Sequence, residues 1–377
     1  MMTKKERVLR ATMIFICISC VVFSLAEPQI SSKETIFALS LCAERIVPSL
    51  FLFTVASKLL IKCGGASIFA HFCGGMFEKL FHISGESAAA VVLGMISGYP
   101  MGAFSLAELV SGGRVEKSEA ESILPFITAA SPAFLIGSVG NAMFDSKGYG
   151  AVLLLSQAMS SFLLLFITRG SRRLTHMKIK KEQERFSPLY ALSSAIKESG
   201  SAVITVCSFV TFFCVFSKMV QTILPMFGAL GAMVSGILEI SGGFFALSKS
   251  GAGITARYFC GGAMLGFSGI SVLMQTASAV CESGLSIKNY IKGKAAQAMI
   301  CAVFSVMFGL LYEKGITLAM FGLFGNDGAK WIYRIEFGTI FVLIFALTAV
   351  FAALGAKILS FFSKKQENFQ KTVEKKR

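Results

Sequence analysis

Hydrophobic positions along this chain come in long blocks rather than in alternation. Apolar runs cover residues 11–26, 36–61, 86–110, 122–144, 149–168, 190–224, 227–247, 254–280, 295–311 and 337–361. Most of these runs approach the length an α-helix needs to cross the bilayer hydrocarbon. Only helices and closed barrels satisfy their backbone groups in that setting. The pattern predicts an all-α polytopic membrane protein. Residues 64–84 are mixed, with His71, Glu78, Lys79 and His82 among apolar positions, and read as an amphipathic interfacial helix.

Composition strengthens the reading. Hydrophobic residues make up 54% of the 377, charged residues 15%, and mean hydropathy is +0.70, whereas soluble chains carry about 25% charged residues. Disorder, a coiled coil and a secreted disulfide scaffold are excluded. The ten cysteines sit mostly in apolar runs and read as small hydrophobes, so no metal site or disulfide framework is expected. The run 11–26 reads as a first transmembrane helix, although its end, Ser24-Leu25-Ala26, also has the form of a signal-peptidase site.

The net charge of +15 would suggest nucleic acid on a soluble protein. Here it is localised. Lys4, Lys5, Arg7 and Arg10 open the chain, seven basic residues lie between Arg169 and Arg185, and six lie between Lys364 and Arg377. Such clusters mark cytoplasmic segments, so no nucleic-acid partner is expected. Both termini and the middle loop are placed in the cytoplasm of a multi-pass cell-membrane protein whose partner is the lipid bilayer.

That placement demands an even number of crossings on each side of the middle loop, where five candidate runs are found. One run in each half must turn back. The first is 86–110, interrupted by Ser97-Gly98-Tyr99-Pro100-Met101-Gly102, since Gly, Pro and Gly so close together break a helix. The second is 227–247, interrupted at Glu239 and at Ser241-Gly242-Gly243. About eight transmembrane helices and two re-entrant helical hairpins result. The order hairpin, broken helix, clean helix occurs twice in opposite orientation, the inverted-repeat plan of secondary transporters. The chain divides into an N-terminal helix (1–35), a first repeat (36–168), a basic cytoplasmic loop (169–188), a second, inverted repeat (189–312), a connector with a last helix (313–361) and a basic tail (362–377).

Helix breaks at membrane depth line cavities, because their freed backbone groups need partners, and helix N-termini there attract anions. Four breaks supply the candidate substrate site: Ser97, Gly98, Tyr99, Pro100 and Gly102; Thr128, Ser131 and Pro132; Ser241, Gly242 and Gly243; Ser268, Gly269 and Ser271. Each break taken alone also fits a packing kink where small residues let helices approach. An ionisable residue within a span costs about 2.5–3.5 kcal/mol, which singles out Glu239 as proton carrier, ion ligand or substrate contact. Glu44 and Arg45 lie inside the second run: Arg45 suits an anionic substrate, and Glu44 suits coupling or an ion pair to another helix. Gln275 follows the last break and is a further substrate candidate. Lys58 and Lys218 read as snorkelling residues, Glu108 as interfacial. The three histidines are dispersed, and no metalloprotease, nucleophile-elbow or nucleotide-binding motif is present. The expectation is a carrier and not an enzyme, without cofactor, driven by Na+, by H+ or by the substrate's own gradient, with a homo-oligomer left open.

Four motifs carry a resemblance. They are Cys42-Ala43-Glu44-Arg45-Ile46-Val47-Pro48-Ser49-Leu50-Phe51; Ser97-Gly98-Tyr99-Pro100-Met101-Gly102-Ala103; Ser131-Pro132 with Ile136-Gly137-Ser138-Val139-Gly140; and Leu265-Gly266-Phe267-Ser268-Gly269-Ile270-Ser271-Val272 leading to Gln275. The chain resembles, from Leu39 to Lys294, the sporulation integral membrane protein YlbJ family of the nucleoside-recognition Gate domain group. Two positions depart from the family pattern: Leu52 stands where a second Pro is usual, and Ala129-Ala130-Ser131 lacks an Asn, which removes an amide ligand from that break. The resemblance implies a fold similar to concentrative nucleoside transporters. It also implies a role in sporulation, the transport of dipicolinic acid across the mother-cell-derived outer forespore membrane. A nucleoside or nucleobase carrier of the same fold, and a non-transporting sporulation scaffold, remain as alternatives.

Overall fold

The computed structural model describes residues 4–172, 187–223 and 227–314, and every regular element among them is helical. The predicted connector and last helix beyond 314, the tail, and most of the basic loop lie outside the described residues. Helix α1 (Lys4–Ala26) is followed after Glu27 by α2 (Pro28–Leu41). The second helix thus starts eight residues before its apolar run, because Pro28 sits at the first turn, where a missing N–H is harmless. It continues through a π-helical turn (Cys42–Ile46) into α3 (Val47–Lys62). Pro48 has no N–H to give the Glu44 carbonyl, and the helix widens over the turn that precedes it. The chain then bends by 82° into α4 (Gly65–Phe81). This helix exposes Ile68 and Phe72 to the surroundings, in keeping with an interfacial position.

Helices α5 (Gly85–Ser97) and α6 (Met101–Ser111) are joined by Gly98-Tyr99-Pro100. Then come α7 (Lys117–Ile127), a π-helix (Ala133–Met143), and α8 (Lys147–Ile167). The second half runs α9 (Pro188–Ile223), α10 (Gly228–Leu238), α11 (Ile240–Lys249), α12 (Ile254–Phe267), α13 (Gly269–Val280) and α14 (Lys288–Glu313). Three of the four anticipated breaks fall where expected; the fourth lies at Glu239 alone, and Ser241-Gly242-Gly243, expected to interrupt the run, form the first turn of α11 because the Glu239 carboxyl caps that turn at Gly242. The break in run 122–144 differs in one respect: the chain re-enters as a wide π-helix and not as an α-helix.

Both short helix pairs fold back on a glycine contact. Gly94 and Gly102 face each other against the Ile127 carbonyl at the end of α7, where a Cβ on Gly94 would lie 2.2 Å from that oxygen. Gly236 and Gly243 face each other beside Met264 near the end of α12, where a Cβ on Gly243 would lie 2.2 Å from the Gly236 Cα. Each pair therefore packs on the broken helix that follows it.

Five described helical stretches are long and apolar enough to cross a membrane, six if the bent α3–α4 pair counts as one span. Large apolar side chains are exposed along them, including Phe15 and Val22 on α1, Ile204 on α9 and Val303 on α14. Exposed apolar surface on that scale faces lipid. The most buried span is α8, which lies between two hydrophobic cores. One is built on α4–α7 and the other on the π-helix, α11, α12 and α14. All ten cysteines are free, including the Cys17–Cys20 pair on α1, and no His/Cys/Asp/Glu cluster among the described residues could hold a metal.

Arg172 departs from its role as a simple surface charge. It is buried, and it donates to the Phe81 and Leu165 carbonyls and to Ser122 Oγ at 2.9 Å each, and to Thr168 Oγ1 at 2.6 Å. Burial holds its pKa down to about 10, so it remains cationic at neutral pH. It ties the C-terminal ends of α4 and α8 to the middle of α7. Arg172→Ala is expected to lower the melting temperature of the detergent-solubilised protein by the equivalent of about 3 kcal/mol. Arg172→Lys should recover only part, because an ammonium cannot reproduce the guanidinium fork.

Candidate functional site

Three of the four breaks, with α13 beyond the fourth, meet at a cavity of about 120 Å³. Ser97, Gly98 and Tyr99 reach it from the first helix pair, and Ser131 from the break after α7. Glu239 and Ser241 come from the second helix pair and Gln275 from α13. Leu50, Val206 and Val210 supply part of an apolar wall from α3 and α9. Seven of the predicted site residues therefore meet around one space, although the chain separates them by up to 178 positions between Ser97 and Gln275.

Glu239 is the most informative of them. It is 2% exposed and forms the single extended residue between α10 and α11. Its Oε2 accepts from the Gly242 amide at 2.6 Å and from Cys214 Sγ at 3.7 Å. The N-terminus of α11 is thus already capped by a carboxyl group of the chain itself. Opposite it, the Tyr99 hydroxyl is buried without a hydrogen-bond partner. An unpaired buried hydroxyl costs roughly 1–3 kcal/mol, and this one stands beside the cavity. The N-terminus of the π-helix also faces the space, where Ala133 and Phe134 line it and Ser131 Oγ accepts from the Phe134 amide at 3.2 Å. Gln275 donates to Ser271 Oγ at 3.1 Å. Ser97 Oγ lies 3.0 Å from Ser57 Oγ, a partner from α3.

The remaining predicted residues do not line the cavity. Pro100 caps α6, Gly102 and Gly243 make the hairpin contacts, and Gly242 serves Glu239. Thr128 turns its hydroxyl back on the Leu124 and Pro125 carbonyls, and Pro132 precedes the π-helix. Ser268 bonds to the Leu265 carbonyl, Gly269 packs against the Gly236 carbonyl, and Ser271 stands behind Gln275. Glu44 is exposed on the π-turn, and no salt bridge among the described residues reaches it. The side chain of Arg45 lies outside the described residues.

Three features escaped the sequence reading. The amide missing from residues 129–131 arrives from α8: Gln157 accepts from the Ala130 N–H at 3.1 Å and donates to the Ala130 carbonyl at 3.3 Å. Lys294 on α14 reaches the Thr128 carbonyl at 2.5 Å. Lys58, expected to snorkel, instead pairs with Glu198 at 2.9 Å; Lys62 pairs with the same carboxylate at 3.0 Å, while Glu108 stands 3.9 and 4.0 Å from the two lysines. This network joins α3, α6 and α9. Glu198→Ala is expected to cost about 1–2 kcal/mol of stability, between exposed and buried ion pairs. Lys62→Ala should cost less, because Glu198 keeps Lys58; thermal melts of the two variants check the order.

These features define a class: a multi-pass helical membrane protein with a largely apolar cavity, edged by polar groups, between broken helices. The chain is 24% identical to the sporulation integral membrane protein YlbJ of Bacillus subtilis (strain 168), over 75% of this chain and 78% of that one. No family model matches the chain, and no solved structure matches it.

Proposed function

We propose that the protein is a secondary carrier of a small anionic metabolite, with dipicolinic acid as its substrate, working in the outer forespore membrane of a sporulating cell. The observation that carries the reading is the meeting of breaks from both halves of the chain on one cavity beside the buried Glu239. The similarity to a protein named for sporulation supports the setting. The substrate's carboxylates meet the N-terminus of the π-helix and the free Tyr99 hydroxyl. Glu239 accepts this anion only with a proton on its carboxyl, which then donates to the substrate. Proton movement is thereby coupled to substrate movement.

The carrier is an inverted repeat of eight crossings and two re-entrant hairpins. Supporting this, each short helix pair packs through two glycines on the broken helix after it. The ion network supports the orientation: the C-terminal ends of α3 and α6 and the N-terminal part of α9, all cytoplasmic in this topology, are the parts it joins. Deleting the gene in a sporulating host is expected to leave spores poor in dipicolinate. Normal spore content would remove the substrate assignment.

A second reading rests on the cavity lining, which holds Glu239 but no Lys or Arg among the described residues. An ionised Glu239 suits the hydroxyls of a neutral nucleoside. Labelled nucleoside uptake that excess dipicolinate does not inhibit would favour this reading.

A further inference from the structure

Lys294 is 1% exposed in the middle of a membrane protein. Its Nζ lies 2.5 Å from the Thr128 carbonyl oxygen and 3.0 Å from Gln297 Oε1. No Asp or Glu among the described residues forms a salt bridge with it. Thr128 is the residue after α7, in an extended conformation, so its carbonyl belongs to the frayed C-terminal end of a half-helix. That end carries partial negative charge. Gln297 is held in a fixed orientation, because its Nε2 donates to Ser161 Oγ at 2.7 Å, which leaves Oε1 to face the ammonium. The Tyr290 ring centroid stands 5.9 Å from Nζ.

An ammonium without a counter-charge is expensive in this setting. Capping the break does not require it. The carbonyl of Ala130, two residues further on, is satisfied by the neutral amide of Gln157. What surrounds Nζ is a carbonyl from an unwound helix end together with a side-chain amide oxygen. In ion-coupled carriers, unwound carbonyls and half-helix C-termini hold the monovalent cation.

We propose that the Lys294 ammonium stands in for a bound sodium ion at the helix break after α7, so that this protein binds no sodium there. The inference rests on the carrier reading above, and it makes Lys294 a positioning residue. Its Nζ contact to the Thr128 carbonyl holds the end of α7 and, through residues 129–131, places Ser131 at the cavity.

The test uses the full chain, purified in detergent, melted in NaCl and in choline chloride of equal concentration. The wild type is expected to melt at the same temperature in both. Lys294→Ala removes the ammonium and leaves its oxygens, so it should melt lower in choline chloride and regain about 3 °C in NaCl. A sodium-specific rise in the wild type, or a Lys294→Ala protein indifferent to the salt, overturns the proposal. Should Lys294→Ala not fold, equilibrium binding of radioactive sodium to the wild type decides: no binding sustains the assignment, and stoichiometric binding overturns it. None of these measurements uses a substrate. A sodium-blind protein that fails to carry dipicolinate keeps this inference and loses the substrate; a dipicolinate carrier that binds sodium at this break does the reverse.

Discussion

Glu239→Ala is expected to reduce dipicolinate uptake into proteoliposomes about 100-fold. That is the rate equivalent of roughly 3 kcal/mol for a hydrogen bond to a charged group in a dry site. The variant should stay folded, because losing the contact to Gly242 costs only a helix cap, on the order of 1 kcal/mol. Glu239→Gln separates the two roles of this side chain. Its carbonyl oxygen can still accept from the Gly242 amide, so the turn between α10 and α11 survives. It cannot exchange a proton, so a proton gradient no longer drives accumulation of the anion. If Glu239→Gln accumulates dipicolinate as the wild type does, Glu239 is a cap and nothing more.

The second large effect is structural. Gly94→Ala sets a methyl group 2.2 Å from the Ile127 carbonyl, and Gly243→Ala sets one 2.2 Å from the Gly236 Cα. Both obstacles are backbone atoms, which cannot swing aside as the tip of a flexible side chain can. Gly94→Ala must force the first helix pair off α7, and Gly243→Ala must part α11 from α10, each at a cost of about 3 kcal/mol or more. Size-exclusion profiles in detergent should show little monodisperse protein for either variant. Gly75→Ala, where no atom lies within 4 Å of the added carbon, should be neutral or slightly stabilising.

Local features of this fold were legible in the sequence because local chemistry produces them. Gly98-Tyr99-Pro100 ends α5, Ser131-Pro132 precedes the π-helix, and Pro225 comes just after α9. Each break could be read from residue types that cannot continue a helix. Glu239 stood out because a lone acid in an apolar run has no cheap place to go. The π-winding after Pro132 was not legible, since no residue pattern distinguishes it from an α-turn.

Lys294 is not legible in the hydropathy pattern. The apolar run begins at Ala295, and a charge at its edge reads as a flank. The helix in fact begins at Lys288. Tyr290, Lys294, Gln297, Cys301 and Ser305 then recur at helical spacing, and all are buried. In lipid the apolar face is the outer one, so a polar stripe on a span marks the packed interior. The same reading applies to Ser156, Gln157, Ser160 and Ser161 on α8. The pairing of Lys58 with Glu198 was out of reach for another reason: it joins helices separated by 140 positions, and single-residue hydropathy says nothing about such partners.

The most direct test of the carrier account is uptake of radiolabelled dipicolinate by proteoliposomes containing the purified protein, under an imposed pH gradient. The account predicts saturable accumulation above the equilibrium level. It also predicts that a protonophore collapses this accumulation, and that Glu239→Ala shows uptake no faster than protein-free liposomes. Uptake by the wild type that matches protein-free liposomes, with the protein shown to be folded and inserted, would contradict it.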